Sequence, residues 1–148
     1  MQANFWGATM AKGFNPNGTW APKGRGFNMG VVQHDGHVIH LTGQVAWDEN
    51  EKIVGKGDIE TQTRQCFKNI KAVLSVVGGR LEDIVSFTTY FTDRSQLPVI
   101  QRVRAEYLRQ ESAPASTSVM VAGLGHEDFL VELTPVAVVP TNRFIAPA

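Results

Sequence analysis

The chain has 148 residues, 43% of them hydrophobic, enough for one domain with a real core. Fourteen Lys and Arg balance fourteen Asp and Glu, so there is no electrostatic footprint for nucleic acid or an acidic membrane surface. No apolar run is long enough to cross a bilayer.

Residues 1–26 read as an irregular N-terminal arm, rich in Gly, Asn and Pro and without periodicity. Its start, Met1-Gln-Ala-Asn-Phe-Trp6, lacks the basic region and apolar stretch of a signal peptide. The arm carries Phe5, Trp6, Phe14 and Trp20. Disordered segments are poor in aromatics, so the arm either packs these side chains on something or forms a loose extension. Residues 27–148 read as a single domain, undivided by repeat, linker or charge block.

Phe27 to Gln33 and His37 to Val45 are short β-rich runs joined by His34-Asp35-Gly36, a good hairpin turn. Asp58 is placed to cap a helix, its carboxylate accepting from free first-turn amides. Cys66, Ile70, Val73 and Val77 then recur at helical spacing beside Phe67 and Leu74. Gly78-Gly79 supplies the left-handed residue that helix C-termini favour. Ile84 to Thr92 reads as a strand with Val85, Phe87, Thr89 and Phe91 on one face and Ser86, Thr88, Tyr90 and Thr92 on the other. A second helix starts at Asp93 or Ser95, tolerates Pro98 in its first turn, and buries Ile100, Val103 and Tyr107. Strands over Ser116–Val121 and Phe129–Val139 close the chain. The order β-β-α-β-α-β-β implies an α+β fold, a mixed sheet with two helices on one face.

Glu132 interrupts the otherwise apolar strand Phe129-Leu-Val-Glu-Leu-Thr-Pro-Val-Ala-Val-Val139. Burying its carboxylate without partners is costly, so it either points to solvent, as charged residues usually do, or lines a polar pocket. Ser116 and Ser118 share a strand face; strand hydroxyls are commonly just tolerated there, and no nucleophile elbow surrounds them. Cys66 lies on the apolar helix stripe as a packed thiol. As the single cysteine it excludes an internal disulfide and fits a reducing compartment, and the protein is expected in the cytoplasm. His37 and His40 face opposite ways in a strand; His34 and His126 fall in a turn and a loop. None has metal-ligand spacing, and no phosphate loop or dinucleotide fingerprint occurs. Neither metal nor nucleotide cofactor is expected.

Several segments together resemble one known family. Leu41-Thr-Gly-Gln-Val45 is similar to its second-strand signature, and Thr61-Gln-Thr-Arg-Gln-Cys-Phe-Lys-Asn-Ile-Lys-Ala-Val-Leu74 to its first helix. Gly78-Gly-Arg-Leu-Glu-Asp-Ile-Val85 resembles the turn after that helix, and Thr88-Thr-Tyr-Phe-Thr-Asp93 its central strand. Pro114-Ala115, Val119-Met-Val-Ala-Gly-Leu124 and Leu130-Val-Glu-Leu-Thr-Pro-Val-Ala137 resemble the last two strands. The family that these segments resemble is the reactive-intermediate deaminase (Rid/YjgF) family, also called endoribonuclease L-PSP, and the likeness runs from about Phe14 to Val139.

The resemblance implies a chorismate-mutase-like fold, a homotrimer whose sheets form a central barrel, and ligand clefts between subunits. It further implies hydrolysis of reactive enamines and imines, such as 2-aminoacrylate, to keto acids and ammonia. In that scheme a glutamate activates water, here Glu132, now expected in the cleft, and Thr42 and Gly43 fall on signature positions. The arginine that would grip a carboxylate is replaced by Ser116, the usual cysteine by Ser118 and the N-terminal tyrosine by Phe27. A serine gives one neutral hydrogen bond where arginine gives two charge-assisted ones. Catalysis is therefore assigned to Glu132 and ligand binding to Phe27, Thr42, Gly43, Ser116 and Ser118, with 2-aminoacrylate a poor substrate. The alternative is a non-catalytic, metabolite-binding or regulatory trimer. The ribonuclease activity sometimes attached to the family fits poorly with the neutral charge.

Overall fold

A computed structural model describes residues 11–148; Phe5 and Trp6 lie outside them. In chain order the regular elements are β1 (Lys12–Phe14), β2 (Gly30–Val32), β3 (His37–His40), α1 (Ile59–Val76), β4 (Ile84–Phe91), α2 (Leu97–Tyr107), β5 (Ala115–Met120) and β6 (Val131–Val139). The main sheet runs β3-β6-β4-β5, with β4 and β5 parallel and the other pairs antiparallel. This is the mixed α+β sheet expected, and α1 and α2 pack against one face of it.

That face is built by alternation. Val131, Leu133 and Ala137 on β6 and Phe87 and Phe91 on β4 form one core with Phe67, Ile70 and Leu74 of α1 and Ile100 and Val103 of α2. Val85 does not join them. A bulge between Ile84 and Ser86 turns Ile84 into the core instead, because an inserted residue shifts the side-chain phase of the strand.

Helix α1 begins where Asp58 predicts, its Oδ1 accepting from the Thr61 amide at 3.1 Å. It ends at Gly78, whose φ of +73° closes the last turn while the Gly79 amide donates to the Leu74 carbonyl at 2.8 Å. Val73 leaves the buried stripe and is 42% exposed. A helix turns about 100° per residue, which carries Val73 away from the Ile70–Leu74 ridge. Asp93 caps a short 3₁₀ turn over Arg94–Gln96 that leads into α2, with Pro98 in its first turn. Tyr107 stacks on Phe67 at 4.5 Å and seals the contact between the helices.

The arm departs from the sequence reading. Lys12–Phe14 is a strand, pairing antiparallel with β2 so that Phe14 faces Gly30. β2 and β3 therefore do not form the expected hairpin: β2 belongs to the small sheet, while β3 pairs with β6 from His37↔Val139 to His40↔Val136. The turn between them is seated on β6, since a Cβ at Gly36 would meet the Val139 carbonyl oxygen at 2.5 Å. Strand β3 also stops at His40, short of the expected Val45. Only Gln44 re-engages β6 among residues 41–45 as a bridge, exchanging hydrogen bonds of 2.8 and 2.9 Å with Leu133.

Candidate functional site

Six residues suggested by the sequence fall into two groups. Glu132 on β6 stands in register with Tyr90 on β4, so it lies on the sheet face turned away from the helices. Thr134 and Val136 share that face, half-buried. The irregular segment after β3 runs beside Glu132. There the absence of a side chain at Gly43 has a purpose, because a Cβ would overlap the Glu132 carboxylate. Thr42 is exposed alongside. Helix α1 holds this loop from beneath: Asn69 Nδ2 donates to the Val45 and Trp47 carbonyls at 3.1 and 2.9 Å, and Gln65 Nε2 to Trp47 at 3.2 Å. Glu132, Thr42 and Gly43 thus form one group.

Ser116 and Ser118 stand in register with Phe87 and Thr89, on the helix-side face. Glu132 and Ser116 therefore point from opposite faces of one sheet, with β4 between their strands. Within one chain Glu132 does not line the cleft that Ser116 lines. Ser118 is exposed on the outer edge of β5. Ser116 instead joins a cleft of about 300 Å³ with Trp20, Phe27, Asn28, Met29, Ser86 and Thr117. The arm forms its outer wall, with Trp20 set edge-on to Phe27 at 5.6 Å. Asn28 anchors this wall. Its amide nitrogen donates to the Ala113 and Gln110 carbonyls at 2.8 and 3.1 Å, its side-chain oxygen accepts from Asn15 and Gln110, and its backbone amide donates to Pro114.

Sequence reasoning missed Arg104. It is buried at 2% exposure, its Nη1 donates to Ser116 Oγ at 2.9 Å, and its Nε and Nη2 donate to the Arg25 carbonyl at 3.1 and 3.0 Å. The guanidinium also sits 5.2 Å from the centre of the Phe27 ring. Burial pushes its pKa down to about 10, which leaves it charged at neutral pH. Arm and helix meet closely: Gly26 has φ +73°, and a Cβ there would lie 3.1 Å from Ala105 Cα. The signal for Arg104 was available, because it follows Ile100 by four residues and so sits on the buried stripe of α2.

Cys66 is fully buried. Burial first, and the Glu132 charge second, push its thiol up to about 12, so it packs as an inert core residue. His37 stacks on Phe144 at 3.8 Å and His34 is buried in its turn. Among the described residues no group of three or more His, Cys, Asp or Glu is placed to hold a metal, and no described helix is long and apolar enough to cross a membrane.

Comparison with known proteins agrees with this architecture. The Endoribonuclease L-PSP family model matches residues 21–139. A RutC family protein of Pyrococcus horikoshii is 37% identical over 102 residues, covering 69% of this chain and 79% of its own. The 3-aminoacrylate deaminase RutC of Acinetobacter baylyi is 37% identical over 101 residues, covering 68% and 79%. Among solved structures, the Rid-family protein YyfB of Yersinia pestis, of unknown function, superimposes with a TM-score of 0.82 at 28% identity, over 87% of this chain and 98% of that one. A match through most of the chain, in sequence and in fold, makes this protein a member of the Rid/YjgF (endoribonuclease L-PSP) family.

Proposed function

We propose that the protein is a homotrimer that hydrolyses a reactive imine or enamine to a carbonyl compound and ammonia, with Glu132 positioning the attacking water. The observation that carries this reading is the half-buried Glu132 carboxylate lying over the bare backbone of Gly43. A carboxylate held there can orient water by hydrogen bonding and take its proton as it adds to the C=N carbon. An enamine first shifts to its imine tautomer; the water oxygen then bonds to the C=N carbon and the proton taken by Glu132 passes to nitrogen. The carbinolamine hydroxyl proton follows it to nitrogen as C=O forms, the C–N bond breaks and ammonia leaves. The relative from Acinetobacter is named for deamination of an enamine, 3-aminoacrylate, which is chemistry of the same class. The opposed directions of Glu132 and Ser116 support a cleft completed by a second chain.

A non-catalytic metabolite-binding trimer is the second reading, favoured by Ser116 standing where the family's arginine would grip a carboxylate. Ammonia release from a panel of enamines and imines separates the two. We expect turnover that Glu132→Gln lowers by about a hundredfold or more, as removal of a general base does, with assembly unchanged by light scattering. Among the panel 2-aminoacrylate should rank low, because that small substrate offers little besides its carboxylate for orientation. Ammonia release equal in parent and Glu132→Gln would remove the assigned role, and no release across the panel would favour the binding reading.

A further inference from the structure

Among the described residues, Arg104 is a buried cation without a counter-ion. Its hydrogen-bond partners among the described residues are a carbonyl and a hydroxyl, both neutral, and burial lowers its pKa. Placing a guanidinium in low dielectric without an opposite charge is expensive. The expense is reduced when an anion arrives.

The geometry indicates how an anion would feel this charge. Ser116 Oγ accepts from Arg104 Nη1 at 2.9 Å, so the hydroxyl hydrogen remains free to donate elsewhere. Ser116 lines the cleft beneath the arm. A hydroxyl whose oxygen is already bound to a cation is a stronger donor than an isolated one, because hydrogen bonds in series polarise each other. Beside it stand two aromatic rings, Phe27 between Arg104 and Trp20, and a Trp20 that is 59% exposed. Such a wall suits a flat apolar body.

We propose that Arg104, acting through Ser116, makes the cleft under the arm a receptor for the carboxylate of a ligand with a planar apolar body. This rests on the small-molecule reading above and names the ligand class for that cleft. Arg104 is a positioning residue here: Ser116 touches the ligand, and Arg104 orients and charges Ser116. The arm itself becomes part of the site, because the Arg25 carbonyl fixes the plane of the guanidinium and Gly26 lets the arm approach α2.

The test uses the full-length protein with phenylacetate and its neutral isostere phenylacetamide, titrated by calorimetry and followed by Trp20 fluorescence against a Trp20→Phe control. Phenylacetate should bind about tenfold or more tightly than the amide, the preference a charge-assisted site gives. Ser116→Ala and Arg104→Gln should each bring that ratio close to one, while Ser116→Thr keeps it. A merely structural role for Arg104 would weaken both ligands together and leave the ratio intact. Should Arg104→Gln fail to fold, Ser116→Ala decides the matter, since it leaves the guanidinium in place. An absence of phenylacetate binding in the parent, or a ratio unchanged by Ser116→Ala, overturns the proposal. Turnover that depends on Glu132 is measured without either ligand, so the deaminase reading stands or falls separately.

Discussion

Gly43 lies against the Glu132 side chain, and its backbone torsion does not itself call for glycine. A methyl group there would overlap the carboxylate, and the strand pairing of Gln44 with Leu133 on the next residue leaves the loop little room to retreat. Gly43→Ala should therefore displace the Glu132 side chain, cutting ligand-dependent function while costing about 1–3 kcal/mol of stability, as overpacking does. Denaturant midpoints and turnover measured together check this. A fully stable and fully active variant would show that the carboxylate swings free. Glu132 was visible in the sequence because a charge in an apolar strand demands an explanation. Arg104 was less visible, since its partners, the Arg25 carbonyl 79 residues away and Ser116 on another strand, exist only after folding.

At the scale of elements, α1 and α2 are bound by a ring of four charges as well as by their apolar stripes. Arg64 bridges Glu60 and Glu106 at 2.8 and 2.7 Å, and Arg102 bridges the same two at 2.7 and 3.4 Å. Arg102 first and Arg64 second hold the Glu60 carboxyl down at about 2, against an ordinary 4.5. A carboxyl with a depressed folded pKa stabilises the fold above its unfolded pKa and loses that contribution as protons bind. The contribution of Glu60 is thus whole above pH 4.5 and fades as pH falls toward 2. Glu60→Gln should flatten the acid limb of the stability curve in that window without abolishing it, because Glu106 and Asp58 are lowered too. Denaturation at low and high salt checks the assignment: these charges are exposed, so the difference between parent and variant should shrink in high salt. If the two acid limbs coincide at low salt, the ring contributes nothing. The helices were legible because period, cap and terminal glycines agree locally. The β2–β3 hairpin was not, because its turn residues allow a hairpin but long-range pairing with β6 and with β1 won. The bulge at Ile84 escaped for the same reason: nothing in Ile-Val-Ser-Phe marks which residue yields its place.

At the scale of the molecule, the two halves of the proposed site look away from each other, and among the described residues no helix covers the second sheet face. Ser86, Thr117, Val119 and Val38 are exposed on that face, with Thr88, Tyr90, Glu132 and Thr134 half-buried among them. A mixed polar and apolar face of this kind suits burial against copies of itself with water enclosed. In the proposed trimer each cleft would take Glu132 from one chain and Ser116, Arg104 and Phe27 from the next. That arrangement has a consequence that a single-chain site lacks. Glu132→Gln and Ser116→Ala trimers, each impaired alone, should regain activity when unfolded together and reassembled. In a cyclic trimer a cleft works when a Ser116→Ala chain supplies its intact Glu132 and a Glu132→Gln chain supplies its intact Ser116. Random mixing of equal amounts makes about one cleft in four fully intact, so activity should rise to about a quarter of the parent value. Light scattering must find trimers before and after mixing. If the mixed sample is no more active than the average of the two variants, either both groups serve one chain's own site or they never meet. Strand β4 lies between the two groups and Glu132 does not line the Ser116 cleft, which argues against the first, so such a result would point to unrelated functions for Glu132 and Ser116.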